Sequence, residues 1–483
     1  MIIALLIIIP FLLGAASFFI RNDTMRRMIL VLCAAVHLIL SVFAVVRGKA
    51  GFFYAWFAVD ELSGVFLLIT SALFFGAAVY AVRYLKEQSS LEKIIFSREA
   101  IFCGCLLMFL STMTTVIMSR QLALLWVGVE ATTLSSAPLI YFNRTKRSLE
   151  ATWKYLLICS VGIAIALLGV FFLAVANNAQ TQMLLPDLIA GAGKMNPAWL
   201  KAAFLLLFVG YGTKMGLAPF HTWLPDAHSE APSVISALFS GALLNCAFLG
   251  ILRAYQVCAA AGLGGYCREL FIVFGLLSIL FAGVFILGQA DYKRMLAYSS
   301  IEHMGIIILG VGLGGAAVFG ALLNMLGHSL TKAGLFLVAG NILSSRHTKV
   351  ISEVRGLISG KDAFSGALWF AGFLLISGTP PSGIFFGKFM ILKEALSAGK
   401  YFTAGAFLLM LAVVFIGMAR IFISMTQGEV NRNESETKYV AAAIRSWVPL
   451  VFFILVMVLG LYLPDWLSRC LSAAAAALGG INV

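Results

Sequence analysis

Charge is what this sequence has least of. Of its 483 residues only 11% are Asp, Glu, Lys or Arg, whereas 61% are hydrophobic. That balance excludes an ordinary water-soluble domain. Short segments of alternating polar and apolar residues are also missing, which excludes a membrane β-barrel. The eight cysteines contain no C-x-x-C spacing, and Cys103 with Cys105 is the only close pair. Iron–sulfur and zinc sites held by this chain are therefore not expected. The thiols read as small buried hydrophobes. No G-x-x-x-x-G-K-[ST] loop occurs, and no dinucleotide fingerprint follows a strand, so the chain has no recognisable device for ATP or NADH. No cofactor is expected in it.

Apolar runs of about 20 residues, by contrast, recur from end to end, each long enough to cross a bilayer as a helix. Charged or Pro/Gly-rich breaks divide them into about fourteen spans. These fall near 2–20, 27–46, 61–85, 99–119, 121–142, 151–176, 200–218, 232–258, 268–288, 296–314, 317–343, 364–396, 402–426 and 445–467. The expected fold is an all-α polytopic membrane protein. Residues 2–20 lack a preceding basic region and read as a first membrane helix, not a signal peptide. The longest connections, 177–199 and 427–444, are too small for a soluble domain. Any catalytic extramembrane module is expected in another chain.

The net charge of +13 does not point to nucleic acid, because the basic residues sit mainly in short connections. Counted alternately, one set of connections holds roughly twice the Lys and Arg of the other. The rich set contains Arg21/Arg26/Arg27, Arg83/Lys86/Lys93/Arg98, Arg144/Lys146/Arg147, Lys293/Arg294 and Arg346/Lys349/Arg355/Lys361. With that set in the cytoplasm, both termini of an even-numbered bundle lie outside, as in a cytoplasmic (inner) membrane protein.

One stretch, GYGTKMGLAPFHTWLPDAHSEA (residues 210–231), organises the rest. It puts Lys214 in an apolar helix among Gly210, Gly212 and Gly216, then breaks the helix at Pro219 before His221. A central lysine costs about 2.5–3.5 kcal/mol on insertion scales, so it is rarely idle. Snorkelling from a helix end is the bland alternative. The glycines and proline favour a helix broken beside a watery cavity, where irregular backbone is tolerated. A second break reads Gly378-Thr379-Pro380-Pro381-Ser382-Gly383, with Lys388 just beyond. Paired broken helices, one per half, point to inverted repeats around a transport site, although the lysine-to-proline spacing differs between the halves.

Further charges fall where the membrane core should be. Glu130 lies in LLWVGVEATTLSSAPLIYF, Lys154 one turn inside its helix, and Lys332 four residues after His328 on the same face. Each has a bland reading: a structural counter-ion for Glu130, a snorkelling lysine for Lys154, a satisfied core histidine for His328. Glu302 and His303 sit early in their expected helix and are expected to be partly solvated. Arg253 is expected to anchor a helix end. A lysine in a low-dielectric pocket has its proton affinity lowered, and a nearby carboxylate raises it again, so moving one charge loads or unloads a proton. A series of such sites joined by His, Ser, Thr and water makes a gated proton path.

These residues resemble the antiporter-like membrane subunits shared by respiratory complex I, Mrp-type cation/proton antiporters and group 4 membrane-bound hydrogenases. The likeness covers nearly the whole chain and is strongest over 120–345 and 376–394. TKMGLAPFHTWLPDAHSEAPS resembles the signature around the family's central broken helix, QADYKRMLAYSSIEHMG its second signature and GHSLTKAGLFL its third. The resemblance implies that Glu130 is the fifth-helix glutamate paired with the seventh-helix Lys214. It implies that Lys332 and His328 form the central relay, that Lys388 is the ionisable group of the twelfth, broken helix, and that Lys154 is a sixth-helix lysine. Two departures stand out. Asn245 occupies a place where several complex I subunits carry lysine, and Asn324 one where some relatives carry a second histidine; asparagine cannot take a proton at neutral pH. PLIYF, SLEATWKYLLICSVGIA and GALLNCAFLGILRAY most resemble the F subunit of hydrogenase-4-type, formate hydrogenlyase-like complexes.

The resemblance implies four regions: N-terminal helices in 1–98, antiporter-like repeats in 99–258 and 268–426, and a loop with the last helix in 427–483. It implies a proton-translocating subunit of a group 4 [NiFe]-hydrogenase, with nickel–iron and iron–sulfur centres in partner chains of a peripheral redox arm. Other antiporter-like and connecting membrane subunits, the lipid bilayer, protons and, in the rival reading, Na⁺ are the remaining partners. The rivals are an Mrp-type Na⁺(K⁺)/H⁺ antiporter subunit, a pumping subunit of complex I, and a structural relative that conducts nothing.

Overall fold

The computed structural model describes residues 2–47, 51–52, 55–91, 96–178, 182–359, 363–428 and 446–480. Lys93 and Lys361 of the basic connections, and most of the 427–444 connection, lie outside the described residues. Apart from a two-stranded ribbon pairing Gly51–Phe52 with Phe57–Ala58, the described regular structure is helical. Ten described helices are long and apolar enough to cross a membrane, or eleven if the bent pair Trp447–Leu461 and Asp465–Ala476 is one span. The other expected spans fall on Ile2–Ser17, Pro197–Met215 and the interrupted Ala363–Ser377 and Gly383–Ser397.

Three helices form the centre. Ser233–Ala260, Tyr292–Leu313 and Ala316–Arg346 are buried along their whole apolar length, whereas Asp23–Arg47 and Tyr401–Thr426 expose most of theirs. The sequence shows why Ala316–Arg346 packs on all sides. Gly320 and Gly327 lie two turns apart, and a Cβ on either would strike Gly387 O at 2.9 Å or Ile384 Cγ1 at 2.7 Å. The absent side chains let the Gly383–Ser397 helix approach at backbone distance and set Lys388 over the centre. In the first half a Cβ on Gly210 would meet Gly162 O at 2.5 Å. That contact presses the Lys214 helix, Pro197–Met215, onto Lys146–Ala176.

Both expected breaks are present. Pro197–Met215 ends on Gly216, whose φ of 80° is the left-handed C-terminal cap that glycine adopts freely. The chain then runs irregularly to the short helix Trp223–Glu230. Ala363–Ser377 ends before Gly378 (φ 85°), and Ser382 caps the start of Gly383–Ser397 by accepting from Phe385 N. Each break holds a cis X–Pro peptide, Ala218–Pro219 and Pro380–Pro381. The central Ser233–Ala260 helix carries a π-helical turn over Phe239–Leu243, a distortion frequent where a helix serves a site.

Candidate functional site

The first half is built around Lys214, which is fully buried. Its ammonium donates to Tyr155 OH at 2.6 Å and to Thr133 Oγ1 at 2.8 Å. It also stands 4.3 Å from the Tyr155 ring centroid. Glu130, on the Leu122–Ile140 helix one turn before Thr133, is half-buried. Its carboxylate accepts from Ser160 Oγ at 2.8 Å and from Thr133 Oγ1 at 3.4 Å. Glu130 and Lys214 thus share one hydroxyl instead of meeting as an ion pair. Tyr155 is fixed in turn by Ser136 Oγ at 2.7 Å and by the Trp223 ring.

Lys154 is not in this core. Its side chain is 45% exposed and pairs with Glu150 at 2.6 Å and Asp226 at 3.0 Å. The long flexible stem carries the ammonium to the rim, as snorkelling requires. There it lines an open bowl of about 650 Å³ with Arg147, Asp291, Arg294 and Lys349. His221 is buried against Phe281, Phe285 and Tyr298.

The second half is more deeply buried and more densely titratable. Lys332, fully buried, donates to Leu296 O at 2.5 Å and to Ser299 Oγ. His328, one turn earlier, has no protein partner on either ring nitrogen. Its ring stacks on His303 with centroids 4.7 Å apart. His303 Nε2 lies 3.1 Å from Ile376 O, at the end of the helix before the second break. Lys388 and Glu302 form an ion pair at 3.3 Å.

Glu302 and His303 are therefore not partly solvated: they are 1% and 0% exposed. Their helix starts at Tyr292, capped by Asp291, earlier than the hydrophobic run suggests. Each turn adds depth, so Glu302 lies about 15 Å along the helix.

The two asparagines differ. Asn245 Nδ2 donates to Gly241 O and Ser329 Oγ, both at 2.8 Å, while neither amide atom of buried Asn324 has a protein partner. Arg253 is buried two turns before the end of Ser233–Ala260 and pairs with Asp60 at 2.8 Å. Through Asp60 it also holds the start of the neighbouring Glu61–Leu91 helix, which Asp60 precedes and caps by accepting from Ser63 N at 2.8 Å. Burial alone would raise the Asp60 carboxyl, but Arg253 and Ser63 hold it down at about 2.

Sequence reasoning did not single out Thr133, Tyr155 or His228. His228 is fully buried with no protein partner on either nitrogen. It stacks on Phe336 at 4.9 Å and meets Phe239 edge-on at 6.0 Å. Phe239 stacks on Tyr155, and Phe336 lies 5.9 Å from Lys332 Nζ. His228 therefore bridges the surroundings of the two central lysines. Its signal was in the sequence, as the one ionisable side chain between Asp226 and Glu230. Chemically, the arrangement offers a succession of buried protonatable groups spaced by hydroxyls and rings.

The family model for NADH:quinone oxidoreductase/Mrp antiporter transmembrane proteins matches residues 119–415, which include Glu130, Lys214, His228, Glu302, His328, Lys332 and Lys388. A "Hydrogenase-4 component F homolog" of Methylacidiphilum infernorum is 34% identical over 428 residues, covering 86% of this chain and 88% of that one. In fold, a chain of the membrane-bound sulfane sulfur reductase, an archaeal respiratory membrane complex, superposes with a TM-score of 0.87 at 23% identity, covering 99% of this chain and 98% of that chain. A chain of respiratory complex I from Thermus thermophilus gives 0.82 at 24% identity, over 99% and 100% of the two chains. With more than half its length matched, this chain belongs to the NADH:quinone oxidoreductase/Mrp antiporter transmembrane family.

Proposed function

We propose that the chain is a proton-translocating membrane subunit of a redox-driven complex of the group 4 [NiFe]-hydrogenase, formate hydrogenlyase-like kind. The observation that carries this reading is the series Glu130, Lys214, His228, Lys332, His328 and Lys388, five of them buried in a chain built to avoid charge. Four idle charges at Glu130, Lys214, Lys332 and Lys388 would cost on the order of 10 kcal/mol. Glu130 and Lys214 act as the switching pair, Lys332 with His328 as the relay, and Lys388 as the terminal gate. Asn245 orients hydrogen bonds along the path without carrying the proton, and the unpartnered Asn324 amide is free to hold a water there.

In this reading the chain crosses the membrane fourteen times, the four shorter segments completing the ten long helices. Two inverted repeats, 99–258 and 268–426, each supply one broken helix. Support comes from the matching breaks after Met215 and Ser377, each with a lysine beside it. The membrane is a bacterial or archaeal cytoplasmic membrane with both termini outside. Three of the basic connections, at Arg147, Arg294 and Lys349, share one bowl, as a common cytoplasmic face requires.

Redox chemistry resides in partner chains holding nickel–iron and iron–sulfur centres. It reaches this chain through neighbouring membrane subunits as shifts of charge and conformation. The component F homolog favours a hydrogenase partner; the breadth of the family model, which spans Mrp antiporters, keeps Na⁺(K⁺)/H⁺ exchange as the rival. Purification through a tag on this chain in mild detergent, with mass spectrometry and metal analysis, separates them. Nickel and iron with a hydrogenase-like large subunit are expected. Small membrane subunits without redox metal would overturn the redox reading.

A further inference from the structure

We propose that Glu302 is a proton-carrying residue, forming with Lys388 a second carboxylate–lysine pair that exchanges a proton within the second half of the path. The inference rests on the proposed translocating function and adds a residue and a step to it.

The geometry is more direct than in the first half. Lys388 Nζ lies 3.3 Å from Glu302 Oε1 with no hydroxyl between them, so one proton can pass without an intermediary. Glu302 is 1% exposed and Lys388 8% exposed. Lys388 is also held by Ser377 O at 3.3 Å and Ile376 O at 3.5 Å, the closing carbonyls of the helix before the break. Those carbonyls form the negative end of a helix dipole and favour the ammonium.

Glu302 is treated differently. Its Oε2 has no protein partner. A buried ion pair kept for stability needs its remaining lone pairs satisfied, and hydrophobic replacement is often as stable. An unsaturated carboxylate beside a lysine, deep in a membrane bundle, is placed to accept a proton.

The surroundings supply that proton. On the Tyr292–Leu313 helix, Ser299 and His303 lie next to Glu302 along the face that receives Lys332 Nζ. From Ala316–Arg346 come Lys332, His328 and the unpartnered Asn324 amide. From Gly383–Ser397 comes Lys388 itself. In the exchange an Nζ–H bond of Lys388 breaks and an O–H bond of Glu302 forms. An ammonium and a carboxylate become an amine and a carboxylic acid, with no change in net charge. The neutral pair avoids the desolvation cost of the ionic one, so both states are accessible in a buried site. A proton arriving from Lys332 through His328 and His303 then recharges the lysine.

The test uses the intact membrane complex in sealed vesicles, comparing proton uptake per electron for wild type, Glu302→Gln and Glu302→Asp. Infrared difference spectra at two pH values follow the carbonyl band of a protonated carboxylic acid. Glu302→Gln is expected to lower uptake by about tenfold or more, while Glu302→Asp restores much of it. The wild type is expected to show a band shifted by D₂O that Glu302→Gln lacks. Glu302→Gln complexes that assemble and pump like wild type would overturn the proposal, as would a spectrum unchanged by the substitution. If Glu302→Gln does not assemble, the wild-type and Glu302→Asp spectra decide alone: no titrating acid band in either would overturn it. Absence of redox-driven uptake in wild type itself would instead refute the translocating function.

Discussion

Glu130 and Lys214 are joined through Thr133: its hydroxyl lies 2.8 Å from the ammonium and 3.4 Å from the carboxylate. The two charges bond the same hydroxyl, so the charge of Glu130 reaches Lys214 across one rotatable group. A small rotation or a change in the Glu130 helix is enough to alter the coupling between them. In a low-dielectric core such a change is large, because unscreened interactions vary steeply with distance.

Thr133→Val keeps the shape of the side chain and removes only the bridge. Proton uptake per electron is expected to fall by about tenfold or more while the complex still assembles, and Thr133→Ser is expected to restore it. Proton-uptake traces on sealed vesicles of the three forms check this.

Lys154 separates resemblance from placement. Its side chain is 45% exposed and holds two carboxylates at the rim. Ion pairs of that kind contribute little, so Lys154→Met is expected to leave uptake within about threefold of wild type. A loss as deep as that expected of a core lysine would place Lys154 back in the path.

The Asp60–Arg253 pair is a structural prediction. Breaking a buried ion pair on one side leaves an uncompensated charge and costs about 3–5 kcal/mol. Asp60→Asn is therefore expected to lower the melting temperature of the detergent-solubilised complex at neutral pH more than Arg253→Met, because it strands Arg253, the deeper partner. Asp60 is held at about 2 in the fold, below the ordinary carboxylate value. The stabilisation is thus fully present above that ordinary value and lost as pH falls towards 2. The melting temperature of wild type is expected to decline over that acidic range, and that of Asp60→Asn to decline less.

The fold and its two breaks were legible because they depend on local rules. Apolar run length marks a span, and Pro219 with Gly216, or Pro380-Pro381 with Gly378, must interrupt a helix wherever it lies in the bundle. Lys214, Lys332 and Lys388 were legible because a buried ammonium is conspicuous in an apolar run. The depth of Glu302 and His303 was not, because it depends on where Asp291 caps the helix, and the hydrophobic pattern begins later. Lys154 lay one turn inside its helix in sequence, but its direction depends on Asp226 from the other side of the first break. Thr133 and Tyr155 were hidden for a different reason. Hydroxyls are common in membrane helices, and only the approach of the Leu122–Ile140 and Lys146–Ala176 helices to Pro197–Met215 brings these two to Lys214.

The measurement that tests the account most directly is redox-driven proton uptake by sealed vesicles of the intact complex carrying Lys214→Met. Hydrogenase activity with a soluble dye serves as the control for the redox arm. The account predicts that coupled uptake is abolished while assembly and dye activity stay close to wild type. Wild-type uptake in the Lys214→Met complex would contradict it.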